Sequence, residues 1–278
     1  MTTVYGKLNN LLTAANAATG ESDTTLTDAV QTLIDGYGQG GGGISVDDLA
    51  TNTAPSGAIT LSNSITEIKE YAFAGKPITS IYSPSVTKIN QNSLQNTSIT
   101  DITDANFPVL GVSSRYQINL RINTLKHIKL TGGYIALNSG AYAFRDNTEL
   151  ITAEFPNAGK NESNQRGTVM YFMAGCRKLE FADVGQINNI AAYSFNADSV
   201  LTTLILRSTT LVTLNNISAF YGTPFQNGGA GGHIYIPKTL YDALGTGTND
   251  YKAATNWSTI DGYGTITWHA IEGSQYEL

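Results

Sequence analysis

The chain has 278 residues, of which only 14% are charged, and its formal net charge is −6 with a pI near 5.0. This acidic balance argues against nucleic acid or an anionic membrane surface as the main partner, because either would require a face rich in Lys and Arg. The single cysteine excludes an intramolecular disulfide, and the abundant Gly, Thr, Asn and Tyr are typical of a β-rich extracellular or virion protein.

Residues 1–37 contain two sets of apolar residues, each spaced as on one face of an α-helix. They are Val4, Leu8, Leu11 and Leu12 in the first set and Leu26, Val30, Leu33 and Ile34 in the second. Thr25 and Asp28 resemble a capping box at the start of the second helix. Because short helices draw most of their stability from a packing partner, this segment is predicted to be a helical hairpin that anchors the chain or makes it a homo-oligomer.

A glycine-rich stretch separates this hairpin from the rest of the chain. Residues 38–58 form the predicted tether and lead-in, and the run from Gly38 to Gly43 has a flexible reach of about 13 Å. The sequence at 25–42 also resembles N-terminal segments of proteins encoded in phage structural-gene regions of gut bacteria. The order of anchor and tether predicts that the following domain is displayed away from an assembly.

A phrase of apolar residues recurs after the tether. It reads Ile65-x-x-Ile68-x-x-x-Ala72-Phe73 and Ile78-x-x-Ile81, and twenty-one residues later Val86-x-x-Ile89-x-x-x-Ser93-Leu94 and Ile99-x-x-Ile102. A repeat of this length predicts a solenoid in which copies of one small unit stack on each other.

Each copy is predicted to contribute one short strand to a parallel sheet. The strand centres equivalent to Ile81 are Ile102, Ile128, Ala153, Ala182, Leu204 and Ile234. The residues two positions later run from Ser83 and Asp104 through Leu130, Phe155, Val184 and Leu206 to Ile236. Because side chains alternate in a strand, both positions are predicted to face inward. Loops inserted between residues 104 and 170 leave the register of those copies open.

The positions between the inward residues should form an outer face that binds a ligand. We expect the candidate ligand-binding residues there to be Tyr82, Asp101, Thr103, His127, Lys129, Glu154, Asp183 and Tyr235. Exposed tyrosines suit protein or carbohydrate contacts, because a ring buries a large area at small entropic cost. The alternative is an ordinary solvated sheet face.

The second half of each unit carries a large apolar side chain after a small one. These predicted core plugs are Phe73, Leu94, Phe144, Phe172, Phe195 and Phe220. They are expected to fill the wide side of each coil.

Three phrases carry a family resemblance. The sequences IKEYAF at 68–73, AGCRKLEF at 174–181 and IAAYSF at 190–195 resemble the BspA-like leucine-rich repeats of bacterial surface and phage-encoded proteins. The resemblance covers roughly residues 59–237 and implies an α/β leucine-rich-repeat solenoid of about seven coils. It places Cys176 where this repeat type buries a small apolar side chain. Because the family includes adhesins, it implies binding rather than catalysis.

Residues 238–278 are predicted to close the end of the solenoid. The aromatic residues Tyr241, Tyr251 and Trp257 surround a glycine-rich break and suggest a broken helix over the last coil, and 265–271 alternates like a strand. Such a cap would cover the apolar core and the strand edge that the last coil otherwise leaves open.

The sequence contains no convincing catalytic or metal-binding motif. His127, His233 and His269 fall in different predicted elements, so neither a metal site nor a cofactor site is expected. An enzymatic alternative would require Arg115, His127 and Glu162 to gather in a pocket formed by the inserted loops.

These observations predict a non-enzymatic phage virion protein, tail-associated or otherwise surface-displayed. Residues 1–37 would contact other virion proteins, and the solenoid would contact a host surface protein or glycan. The alternative is a bacterial cell-surface adhesin or scaffold protein. Neither nucleic-acid binding nor membrane insertion is expected, since no apolar run reaches transmembrane length and the start lacks a signal-peptide pattern.

Overall fold

The computed structural model describes residues 43–44, 56–90, 92–112, 116–117, 120–137, 143–161, 167–226 and 231–278. The predicted N-terminal hairpin lies outside the described residues, as do all eight of its apolar anchoring residues. The same holds for the first part of the predicted tether and for Arg115 and Glu162 of the enzymatic alternative.

The described residues consist mainly of short strands joined by turns. In chain order the strands are β1 (Gly43–Ile44), β2 (Gly57–Thr60), β3 (Glu67–Ile68), β4 (Ile78–Tyr82), β5 (Lys88–Ile89), β6 (Asp101–Thr103), β7 (Tyr116–Gln117), β8 (His127–Lys129), β9 (Ile135–Ala136), β10 (Thr152–Glu154), β11 (Phe181–Asp183), β12 (Asn189–Ile190), β13 (Thr203–Ile205), β14 (Thr213–Leu214), β15 (Gly232–Ile236) and β16 (Ile266–Ala270). The helical elements are a 3-10 helix at Ile217–Phe220 and two short α-helices, α1 (Lys238–Tyr241) and α2 (Trp257–Asp261).

Seven strands form one parallel sheet in the order β16-β15-β13-β11-β10-β8-β6. Its central row aligns Ile102, Ile128, Ala153, Ala182, Leu204, Ile234 and Trp268. The strand centres predicted from Ile102 to Ile234 are therefore confirmed, including those beside the inserted loops. The strand β4 pairs in parallel with β2, where Ile59 lies opposite Ile81.

A second row of two-residue strands runs through the other side of the repeats. It consists of the parallel groups β1-β3-β5, β7-β9 and β12-β14. Ile68 and Ile89, both spaced as in the repeated phrase, lie opposite each other and are buried. At this position the repeated phrase thus places equivalent apolar residues of neighbouring copies next to each other.

The plug residues stack in a third row. The N–H of Phe73 donates to Ser93 O, and the N–H of Phe195 donates to Ala219 O. In the copy directly before that of Phe195, Met173 N–H donates to Ser194 O, so Met173 occupies the plug position and Phe172 occupies the position predicted for a small residue. The prediction of Phe172 as the plug is wrong by one residue because no small residue precedes it to mark the register.

Aromatic rings nevertheless run continuously through the core. The Phe172 ring packs edge-on against Phe144 at 5.7 Å and Phe195 at 6.3 Å between centroids. Phe220 continues the stack at 5.5 Å from Phe195 and lies 5.8 Å from Trp257 of α2. Such pairs add to the stabilisation that burial of the rings already supplies.

One buried column contains polar side chains three residues after the plugs. Asn147 accepts from Ile122 N–H at 2.7 Å and donates to Leu120 O at 2.8 Å. Cys176, buried as predicted, donates to Phe144 O at 3.2 Å.

Asp198 continues this column without such partners. Its side chain is 0% exposed, and neither carboxyl oxygen has a hydrogen-bond partner. Burial raises the pKa of Asp198 well above its usual value, and the nearby N–H groups of Cys176 and Gly175, which donate to Met173 O and Asn196 O instead, lower it only in part. A buried carboxyl group without bonds favours its neutral form.

The inward position after each strand is apolar in most copies, as predicted, but Asp104 is an exception. Its carboxylate is half-buried and accepts hydrogen bonds from the Thr131 N–H at 2.9 Å and the Thr131 hydroxyl at 2.8 Å. The carboxylate turns toward the next repeat because the core offers it no donor.

The C-terminal segment closes the core and extends the sheet. Tyr251 and Trp257 are fully buried, and the Trp257 indole N–H donates to Val212 O at 2.7 Å while Val212 N–H donates to the Tyr251 hydroxyl at 3.1 Å. The alternating segment predicted at 265–271 forms β16, which pairs with β15.

Candidate binding surface

The predicted site residues lie directly before or after the central residue of their strands. Asp101 and His127 lie opposite each other one residue before the centre, and Thr103, Lys129, Glu154, Asp183 and Tyr235 lie one residue after it. Both positions flank the buried central residue, so their side chains point to the same outer face of the sheet. Tyr82 lies at the end of β4.

The outer face is accessible along β4, β6, β8 and β10. We call this part the open face and define it by Tyr82, Asp101, Thr103, His127, Lys129 and Glu154, all exposed or half-exposed. The Tyr82 side chain is 44% exposed.

Side chains on the open face pair across neighbouring strands. Lys129 Nζ lies 2.8 Å from Glu154 Oε2, and His127 Nδ1 lies 3.0 Å from Thr152 Oγ1. Such surface pairs contribute little to stability, and they leave both charges available to a ligand.

Asp183 is not on an accessible surface, and its predicted exposure is wrong. The whole residue is only 2% exposed, and its Oδ2 lies 2.8 Å from both Nε and a terminal nitrogen of Arg207. The N–H of Gly185 donates to Asp183 Oδ1 at 3.0 Å. Burial raises the pKa of Asp183, while the Arg207 charge acts in the opposite direction.

The C-terminal residues cover the outer face beyond β10. The Tyr276 ring lies 5.4 Å from Phe181 on β11 and 4.6 Å from Tyr235 on β15, so it crosses β13. Ile205, at the outer position of β13, is 0% exposed. We call this part the covered face and define it by Phe181, Asp183, Ile205, Tyr235 and Tyr276.

Tyr235 is therefore only half-exposed, and it serves packing within the chain. Burial raises the pKa of Tyr235, and Tyr276 adds to the shift. Its ring also stacks on His269 at 4.6 Å with an interplanar angle of 16°.

The structure brings together two histidines that the sequence assigned to separate elements. His233 Nδ1 lies 2.9 Å from His269 Nε2, because β15 and β16 are neighbours. Burial and the neighbouring His233 both lower the pKa of His269. Within the described residues, no group of three His, Cys, Asp or Glu side chains comes together as a metal site.

Sequence reasoning also missed a stack of flat groups on another side of the repeats. Tyr171 and Tyr193 stack at 5.0 Å with an interplanar angle of 9°, and the Arg145 guanidinium lies 5.1 Å from the Tyr171 ring centre. Both tyrosines precede a plug by two residues and have a positive φ near 59°. The recurrence of a tyrosine two residues before a plug is the sequence signal that could have predicted this stack.

The sequence matches a model of a known protein family over most of its described length. The family is the BspA type leucine rich repeat region, found in six copies, and the matched residues are 51–165 and 124–240. No curated protein matches the chain. Among the helices of the described residues, none is both long enough and apolar enough to cross a membrane.

Proposed function

Because the chain belongs to the BspA-type leucine-rich-repeat family, we propose that it is a non-enzymatic binding protein whose ligand docks on the open face. The proposed ligand is a protein or glycan on a host-cell surface. The observation that carries this proposal is a contrast along the outer positions of the central strands: the C-terminal residues cover them from β11 to β15 but leave them accessible on β4, β6, β8 and β10.

The open face supplies the chemistry of a recognition surface. Tyr82 offers an exposed ring, Lys129 and Glu154 offer a cation and an anion, and His127 offers a ring nitrogen. The proposed stacking of all repeats into one continuous solenoid would hold these groups at fixed spacings, so a ligand would lose little affinity to reorganisation of the protein.

The test measures binding of the purified full-length chain to host cells and to a glycan array. We expect Tyr82→Ala and Lys129→Ala each to weaken binding at least about ten-fold, since residues at the centre of an interface dominate its affinity. Tyr263→Ala is the matched control, because Tyr263 is 47% exposed and lies outside the open face. Unchanged binding in both open-face variants would disprove the proposal.

We further propose that residues 1–37 anchor the chain to a phage particle, as a homo-oligomer or through other virion proteins. The sequence order of anchor, glycine tether and repeats supports this display. Purified particles carrying a tag after Leu278 should be labelled, and deletion of residues 1–43 should abolish labelling while the repeats stay folded.

Label on the bacterial surface in cells without particles would instead support the alternative, an adhesin or scaffold protein of the cell surface. That outcome leaves the role of the open face intact.

A further inference from the structure

The row of central strands ends at β16 with unpaired backbone groups. Thr265 O accepts a hydrogen bond from β15 and Ile271 N–H donates one to it, so the odd-numbered residues of β16 face β15. The N–H and C=O groups of Ile266, Trp268 and Ala270 therefore point away from the sheet. Among the described residues, none of these groups has a backbone partner.

The strand β2, which pairs with β4 in a separate two-stranded sheet, also has backbone groups without a partner among the described residues. In β2, Gly57 N–H donates to Pro77 O and Leu61 N–H donates to Tyr82 O, so the odd-numbered residues face β4. The backbone groups of Ala58 and Thr60 point outward. No backbone partner for them exists in the part of the chain that the structure describes.

The two edges fit each other in direction and in register. Both strands already take part in parallel pairing, and both carry an inward apolar residue at their centre, Ile59 in β2 and Trp268 in β16. With Ile59 opposite Trp268, the Trp268 N–H would donate to Ala58 O and the Thr60 N–H to Trp268 O. We propose that β16 of one copy pairs with β2 of a second copy, so that copies of this chain associate head to tail.

A hollow beside β16 can accept the inward side chain of an added strand. Its volume is about 420 Å³, and its lining consists of Tyr241, Leu244, Lys252, Ile266, Thr267 and Trp268. Ile59 is only partly buried in its own chain. Insertion of Ile59 into the hollow removes apolar surface from water on both copies.

Within the described residues, neither edge strand carries a proline or a permanently charged outward side chain, two features with which proteins often prevent strand pairing. There is no proline within Gly57–Thr60 or Ile266–Ala270. The outward side chains of the two strands are Ala58, Thr60, Thr267 and His269, none with a permanent charge. Because the two surfaces differ, the contact does not close on itself and can continue into chains of copies.

Two proline variants test the contact. Ala58→Pro removes an outward N–H of β2, and Ala270→Pro removes an outward N–H of β16, so neither change breaks a hydrogen bond within the sheet. We expect the mass of the full-length wild-type protein in sedimentation equilibrium to at least double as concentration rises. Neither variant alone should show this concentration-dependent increase in mass.

Mixing the two variants separates lost pairing from misfolding. The Ala58→Pro protein keeps a working β16 edge and the Ala270→Pro protein keeps a working β2 edge, so the mixture should form one-to-one pairs that do not extend. A synthetic peptide of residues 56–62 should block this pairing. Any association through residues 1–37 is the same in all samples and does not mimic complementation.

The proposal is wrong if the mass of the wild-type protein does not rise with concentration. That result is expected if the natural partner of β16 is an extended segment of an unrelated protein. The proposal is also wrong if the mixed variants fail to pair while each retains the wild-type circular dichroism spectrum and unfolding midpoint.

Discussion

The strands β6, β8 and β10 of the open face and β11, β13 and β15 of the covered face belong to one sheet, yet the two faces differ sharply in exposure. The strand β4 with Tyr82 lies in a separate pair of strands. On the open face, Lys129 and Glu154 form an ion pair with side chains 54% and 30% exposed. On the covered face, Asp183 and Arg207 form one with side chains 3% and 10% exposed. The same type of pair is thus available to a ligand in one region and part of the protein interior in the other.

The largest expected effect is on the buried ion pair. Arg207→Ala should lower the free energy of unfolding by about 3–5 kcal/mol, because it leaves the Asp183 carboxylate buried without its partner. Lys129→Ala, the matched change on the open face, should cost less than about 1 kcal/mol. Urea denaturation measures both, and equal losses would contradict the distinction between the two faces.

The second largest expected effect concerns Tyr276, whose ring covers β13. Tyr276→Ala should destabilise the protein by about 2 kcal/mol, because it removes ring contacts and exposes Ile205. Amide hydrogen exchange should accelerate in β13 and remain unchanged in β8. Tyr263→Ala, on the surface of the cap, is the control, and uniform acceleration in both strands would show that Tyr276 does not act locally.

The same contrast extends into the buried polar column, where Asn147 is satisfied and Asp198 is not. Asp198→Asn should raise the free energy of unfolding at pH 7 by at least about 1 kcal/mol, because it removes the cost of keeping the buried carboxyl group protonated at a pH where the unfolded chain ionises it.

The pH dependence follows from the raised pKa of Asp198 in the folded state. The folded protein holds this proton more tightly, so the stability that Asp198 contributes is fully present below about pH 4 and is lost as pH rises toward the folded-state pKa. Urea denaturation between pH 4 and 7 should show this fall in the wild type and a smaller one in Asp198→Asn. If the free energy of unfolding had the same pH dependence in the two proteins, Asp198 would not be its cause.

The smallest expected effect concerns His269 at the edge of the covered face. Its pKa is lowered in the folded state, so the unfolded chain takes up a proton first as pH falls through about 6.5. The associated stability is present above that pH and is lost on acidification. His269→Gln should reduce the loss of stability between pH 7 and 5, which urea denaturation at the two pH values measures, and an unchanged loss would contradict the role of His269.

Much of the repeat architecture was predictable, because its signal is local and periodic. The strand centres from Ile102 to Ile234 and the burial of Cys176 follow from apolar residues at repeated spacing. The family membership and these strand positions are confirmed. The ligand, the virion location and the helical anchor remain predictions.

The candidate site was predictable only in part. Six of the eight predicted site residues form the open face, whereas Asp183 is buried and Tyr235 is half-covered. The sequence does not reveal that Arg207 packs against Asp183 or that Tyr276 packs against Tyr235. Such contacts join residues far apart in the chain and do not recur in other repeats.

The sequence by itself determined which residues recur and therefore which side of each strand enters the core, because side-chain alternation is a local property of the backbone. Only the tertiary structure decided which part of the outer face a ligand can reach, since that depends on where the C-terminal residues fold back across the sheet. It also decided that β16 adds a strand beside β15 and thereby joins His233 to His269, a contact that periodicity cannot specify.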